Sequence, residues 1–216
     1  MKQNQSGRSM IEMLGVLAIV GVLTAGGVAG FSKALLTYRY NKALAEWDAL
    51  VNAVTKYNSQ LRINDGSVNM LSLLPILQAA GDLPDKMVAK NLQDKDCENL
   101  KDDCYVVDSL GNKISVYSHS TRYVGIRSDN NGYETCRLFL NIVKANHKTI
   151  DYAEYYTSQP IDVFYGDLRC SKSNESKCVK NLTVSQISEI CKSDMISSGA
   201  GIFLIFWYSF NIIKFL

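Results

Sequence analysis

The residues best equipped for covalent chemistry are six cysteines: Cys97, Cys104, Cys136, Cys170, Cys178 and Cys191. Their number is even and no CxxC pair occurs, while only His119 and His147 could complete a zinc site. That pattern points to disulfides in an oxidising compartment, ahead of buried thiols, a metal centre or a catalytic nucleophile. Six cysteines allow many pairings. The polar loop SKSNESK between Cys170 and Cys178 favours a bridge there, and Cys97 and Cys104 are equally local. Cys136 and Cys191 would then remain, tying the end of the domain to its middle.

The other candidate chemistries are weaker. Asp94, Asp96, Glu98, Asp102 and Asp103 form an acidic run without the spacing of a calcium loop, so a solvated surface is the simpler reading. No nucleophile–histidine grouping, paired carboxylates or metal spacing stands out, so neither catalysis nor a cofactor is expected. A net charge of +2 with no basic patch interleaved with aromatics gives no reason to expect nucleic acid. Two sequons, at Asn174 and Asn181, matter only in a host that glycosylates them.

One more ionisable group asks for an explanation. Glu12 stands at the lip of a stretch, Met13 to Ser32, that contains no charge. Twenty such residues suffice to cross a hydrocarbon core as a helix, and Gly15, Gly21, Gly26, Gly27 and Gly30 would permit close helix contact. A carboxylate at that depth is expensive, and is by default a functional group; the simpler alternative places it at the headgroup boundary. A cleaved secretory signal could use the small residues of TAGGVAG, but the helical pattern continues through Phe31 without a break. Beyond Ser32 the pattern turns amphipathic. Leu44, Trp47, Val51, Val54, Asn58 and Leu61 recur at steps of three and four, with Tyr40 preceding them, and Glu46, Asp48, Asn52 and Lys56 fall off the stripe. The spacing predicts one helix from about Ser9 to about Leu61, roughly 80 Å long at 1.5 Å per residue.

The opening SGRSMIEMLGVLAIVGVL resembles the processing and assembly segment of type IV pilins and of the pseudopilins of type II secretion systems. The resemblance is strong over about 25 residues and architectural over the rest. It implies that MKQNQSG (residues 1–7) is a leader and that a prepilin peptidase cuts after Gly7. Arg8 would become the methylated N-terminus, where many family members carry an apolar residue, and Glu12 the fifth mature residue. It further implies a transmembrane and assembly helix over 8–31, continued by an amphipathic half over 32–63. The expected partners are identical or related pilins, the peptidase and an inner-membrane assembly platform. The head would be periplasmic before assembly, and would end in an extracellular pilus or a periplasmic pseudopilus. In such an assembly the new α-amine of one subunit could meet Glu12 of its neighbour. Alternatives are a pseudopilin or minor pilin, or a membrane-anchored periplasmic binding module.

The remaining elements must form the disulfide-containing head expected over 64–198. A short helix around Met70–Ala79, interrupted or started afresh near Pro75, should end at Gly81. YVVDSLGNKISVYS reads as a hairpin turning at Gly111–Asn112, and RYVGIRS as a third strand. Residues 136–145 favour a helix with strand as the alternative. IDVFYGDLRC suggests a strand, YAEYY sheet or core, and LTVSQISEIC a helix capped by Thr183. The fold class is therefore α+β: a long N-terminal helix against a small antiparallel sheet, as the pilin resemblance also implies. The tail, 199–216, is anomalous, being almost wholly apolar from Ile202 to Ile213. It could be a buried final strand, a short second membrane segment, or the product of a frame change.

Overall fold

The computed structural model describes residues 6–57, 70–84, 87, 89–90, 104–119, 123–129, 132–155, 162–192 and 202–207. The chain divides between Asn41 and Lys42 into two units. The first is the leading part of helix α1 (Ser6–Tyr57). The second is an α+β head that begins with the rest of that helix.

In the head the strands are β1 (Met70–Ser72), β2 (Ala89–Lys90), β3 (Tyr105–Val107), β4 (Lys113–His119), β5 (Tyr123–Ser128), β6 (Tyr152–Tyr155), β7 (Asp162–Tyr165) and β8 (Ile202–Trp207). Among the described residues the further α-helices are α2 (Leu74–Ala79), α3 (Tyr133–Ala145) and α4 (Val184–Lys192). All described pairings between these strands are antiparallel, in the order β2-β3-β4-β5-β8-β6-β7, with β1 beside the far end of β4. Alternation sets the faces. Ile114 and Val116 of β4, Val124 and Ile126 of β5, Ala153 of β6 and Leu204 of β8 are fully buried, in a register that puts them on one side. Helix α3 covers that side, with Phe139 against the ring of Tyr155 at 6.4 Å.

The tail receives a definite place. Ile202–Trp207 pairs with β5 on one edge and β6 on the other, so it is an interior strand. Ile202, Leu204 and Phe206 are buried and face the core beside Ser128, Ile126 and Val124. Of the three readings of this segment the structure realises the buried strand; residues 208–216 lie outside the described set.

Elsewhere the local signals meet their tertiary fate. The β3–β4 hairpin turns at Gly111, whose φ of +90° a side chain would resist. Thr183 Oγ1 accepts from Gln186 N at 3.2 Å and the Gln186 side chain returns to Thr183 N at 2.8 Å, a capping box that starts α4. Of the readings for the Met70–Ala79 segment, the fresh start near Pro75 holds and the helix at Met70 is corrected: Met70–Ser72 pairs with Tyr117–His119 as β1, and the helix starts at Leu74. Pro75 at its first turn lacks an N–H that would be unsatisfied there in any case.

Two described disulfides brace the C-terminal half. Cys136–Cys191 joins α3 to α4 with Cα atoms 5.6 Å apart, and Cys170–Cys178 closes a short loop at 5.5 Å. Cys104 is also disulfide-bonded, while Cys97 lies outside the described residues. Near the second bridge, Gly166 donates its N–H to Asp151 O at 2.9 Å, and a side chain at Gly166 would collide with Ile150 O. Arg169 Nε meets Asp151 Oδ2 at 2.7 Å across this crossing. Asp167 there bonds His147 Nδ1 at 2.9 Å and Lys180 Nζ at 3.2 Å.

Leu204→Ala removes packing from the middle of the sheet and is expected to cost about 3 kcal/mol, lowering Tm by about 10 °C. Thermal unfolding followed by circular dichroism on the full chain in detergent checks this; an unchanged Tm would contradict an interior β8.

Candidate functional site: the N-terminal helix

The first unit of α1 is built to meet something other than water. From Met10 to Gly30 its side chains are exposed, with Ile11 at 74 % and Leu14 at 67 %. No described neighbour lies within 4 Å of where a Cβ would sit on Gly15, Gly21, Gly26, Gly27 or Gly30. The one hydroxyl within the span's middle turns inward: Thr24 Oγ1 donates to Val20 O at 2.6 Å, so it presents no unsatisfied polar group laterally. An exposed apolar surface of this extent needs lipid or other apolar helices around it. By length and composition α1 is able to cross a membrane. Glu12 stands on the exposed face at the start of that stretch. Gly7 and Arg8 belong to the opening turns of the same helix, which begins at Ser6.

The second part of α1 is locked into the head. Ala43, Trp47, Leu50, Val51, Ala53 and Val54 are buried, a wider stripe than the spacing of three and four alone predicts. Asn58 and Leu61, expected to extend it, lie outside the described residues. Glu46 is the correction of most consequence. Expected to face away, it is only 6 % exposed, because the β3–β4 turn brings donors to it. Ser109 N and Oγ each donate to its carboxylate at 2.7 Å, and Lys42 Nζ stands 3.5 Å away.

Beside it Asp108 forms the centre of a buried network. Its carboxylate accepts from Trp47 Nε1 at 2.9 Å, Leu110 N at 2.9 Å, Asn112 N at 2.8 Å and Asn112 Nδ2 at 2.7 Å. Thr135 Oγ1 of α3 donates to Asn112 Oδ1 at 2.9 Å. One carboxylate thus joins α1, a hairpin turn and α3. A buried charge is tolerable only when its lone pairs are filled in this way. Further along, Asn146 Nδ2 donates to Asp48 Oδ1 at 2.8 Å. At the last described turn Tyr57 OH bonds Asp82, with Lys56 Nζ at 3.3 Å. The Tyr57 hydroxyl, against the opposing pull of burial and with help from Lys56, holds the Asp82 carboxyl below its ordinary value.

No family model matches the chain, and no curated protein matches it. The architecture, a long apolar N-terminal helix whose second part packs on an antiparallel sheet, is pilin-like in general. Among the described residues no group of three or more His, Cys, Asp or Glu is placed to hold a metal ion. Short-range sequence signals reveal neither Asp108 nor Glu46 as anchors; a Trp on the apolar stripe, needing a partner for its N–H, was the available hint.

Asp108→Ala leaves the Trp47 N–H and two turn amides without their acceptor. It is expected to destabilise the head by about 3 kcal/mol, with Asp108→Asn intermediate, measured by urea unfolding in detergent. A second expectation concerns pH. A carboxyl depressed in the folded state contributes stability above its unfolded pKa, lost as pH falls through the folded one. Tyr57→Phe should therefore be less stable than the parent at pH 7, with the gap closing below about pH 4. Urea titrations at several pH values test it, and a gap independent of pH would assign the loss to packing alone.

Proposed function

We propose that this chain is a structural subunit of a type IV pilus or a related filament. The observation that carries the reading is the exposed, uncharged helix of membrane-crossing length with Glu12 at its lip, continuous in sequence with a helix segment buried in the head. The N-terminal resemblance supplies the rest. On this reading the chain enters the inner membrane through α1 with its head in the periplasm. A prepilin peptidase cuts it between Gly7 and Arg8, and an inner-membrane assembly platform moves it into the growing filament. Its role is mechanical and involves no catalysis of its own.

The chemistry of polymerisation follows from two charges in an apolar setting. Cleavage creates an α-amine at Arg8, four residues before Glu12. As a subunit joins, that amine and the Glu12 carboxylate of a neighbour can meet, each offsetting the other's desolvation. Since the pairing needs one particular axial offset, it also sets the stagger between subunits. A contact between different surfaces of identical chains that does not close gives a filament. The apolar faces of α1 would then cover one another where lipid no longer does.

N-terminal sequencing and intact-mass measurement of protein from its native membrane should find a chain that begins at Arg8, with or without a methyl group. A start at Met1, or one beyond Ser32, would remove this reading. Glu12→Ala should still be cleaved and keep a folded head, yet enter sheared filaments at least tenfold less than the parent. Normal incorporation of that variant would show that the carboxylate does not set assembly.

A further inference from the structure

The register of the span in a bilayer is restricted from both ends. Met13 to Ser32 is 20 residues, about 30 Å as a helix, which is the thickness of a hydrocarbon core. A shift in one direction would immerse Glu12, and a shift in the other would immerse Lys33. On the transmembrane reading of α1, which this inference rests upon, Lys33 therefore lies at the boundary facing the head, and Arg39 about 9 Å further along the axis.

That boundary has a distinct composition. Lys33, Tyr38 and Arg39 are exposed, and Tyr40 is half-buried. Tyr38 is 62 % exposed and, like Lys33 and Arg39, belongs to the first unit of the chain. Six residues separate Lys33 from Arg39, so at about 100° per residue they point to different sides of the helix, with Tyr38 on a third. The arrangement is a collar around α1 rather than one face. No acidic residue occurs between Glu12 and Glu46, so the segment lacks a carboxylate of its own to match these cations. Lys42, the next cation, is already engaged by Glu46 at 3.5 Å.

We propose that Lys33, Tyr38 and Arg39 form a headgroup-binding collar that selects anionic phospholipid in the leaflet facing the head. The match is one of charge and depth. Long cationic side chains at the hydrocarbon boundary reach outward to phosphate, and tyrosine rings settle at the headgroup level with the hydroxyl in water. Each cation near an anionic surface contributes about a fivefold bias, so the pair should give a preference of at least tenfold. The collar would hold the helix at a constant depth until assembly withdraws it, in the leaflet opposite to the one where Glu12 lies.

The full chain is reconstituted into vesicles of equal phosphatidylglycerol and phosphatidylcholine, tested for resistance to carbonate extraction, and then analysed for the lipid it retains by native mass spectrometry. The expected result is a carbonate-resistant chain with phosphatidylglycerol retained at least tenfold over phosphatidylcholine. Lys33→Gln with Arg39→Gln should abolish that preference while the head keeps its circular dichroism. Lys33→Arg with Arg39→Lys should preserve it. A carbonate-resistant parent with no preference overturns this proposal alone, as does a preference that survives the double glutamine variant. A parent that carbonate strips from the vesicles overturns the transmembrane reading and the collar together.

Discussion

The head depends on β8, the last of the described strands in chain order. β5 and β6 do not pair with each other; β8 lies between them and supplies hydrogen bonds to both. Without it, β6 and β7 would form an isolated hairpin, marginal by itself in water. Ile202, Leu204 and Phe206 also complete the buried face under α3. The apolar character of the tail follows from that position. A strand with neighbours on both edges and its inward side chains in the core has little use for polar residues there.

The long helix solves a different problem by dividing its length. Its first unit exposes apolar side chains all round, whereas from Lys42 onward one stripe is buried against the head. Hydrophobic burial alone is non-directional and would tolerate some sliding of the helix along the sheet. The hydrogen bonds of Trp47 to Asp108 and of Ser109 to Glu46 add direction. Each requires one axial and one rotational setting of α1. Because the carboxylates are buried, a misplaced helix would leave charges unfilled, so the network penalises alternatives more than it rewards the native state. The Cys136–Cys191 and Cys170–Cys178 bridges act elsewhere, in the C-terminal half, where α4 and the loop after β7 have less core of their own.

The function proposed for the chain draws on both halves of that helix. Transferring force or position from a membrane-embedded segment to a head requires that the head not shift on its helix, and the polar anchors supply that. The uncharged span, bounded by Glu12 and Lys33, supplies a defined depth. A carboxylate stands on the entry side of the span and cations on the exit side, so its two ends differ in charge.

Much of this was legible in the residues. The span, its bounding charges, the β3–β4 hairpin, the third strand and the Thr183 cap depend on near neighbours in sequence, and periodicity reports them directly. Tertiary structure decided the rest, because the partners lie far away along the chain. Met70–Ser72 looked helical until β4 offered it an edge, and Glu46 looked solvent-facing until Ser109, 63 residues on, brought two donors to it. The tail's composition was compatible with a strand or a membrane segment, and only pairing with β5 and β6 distinguishes them. The sequence by itself determined the uncharged span of α1 and the charges that bound it, since these are properties of each residue where it stands. The burial of Asp108 and the place of β8 in the middle of the sheet were decided by the fold, since an acceptor or a strand edge has no value until its partner is beside it.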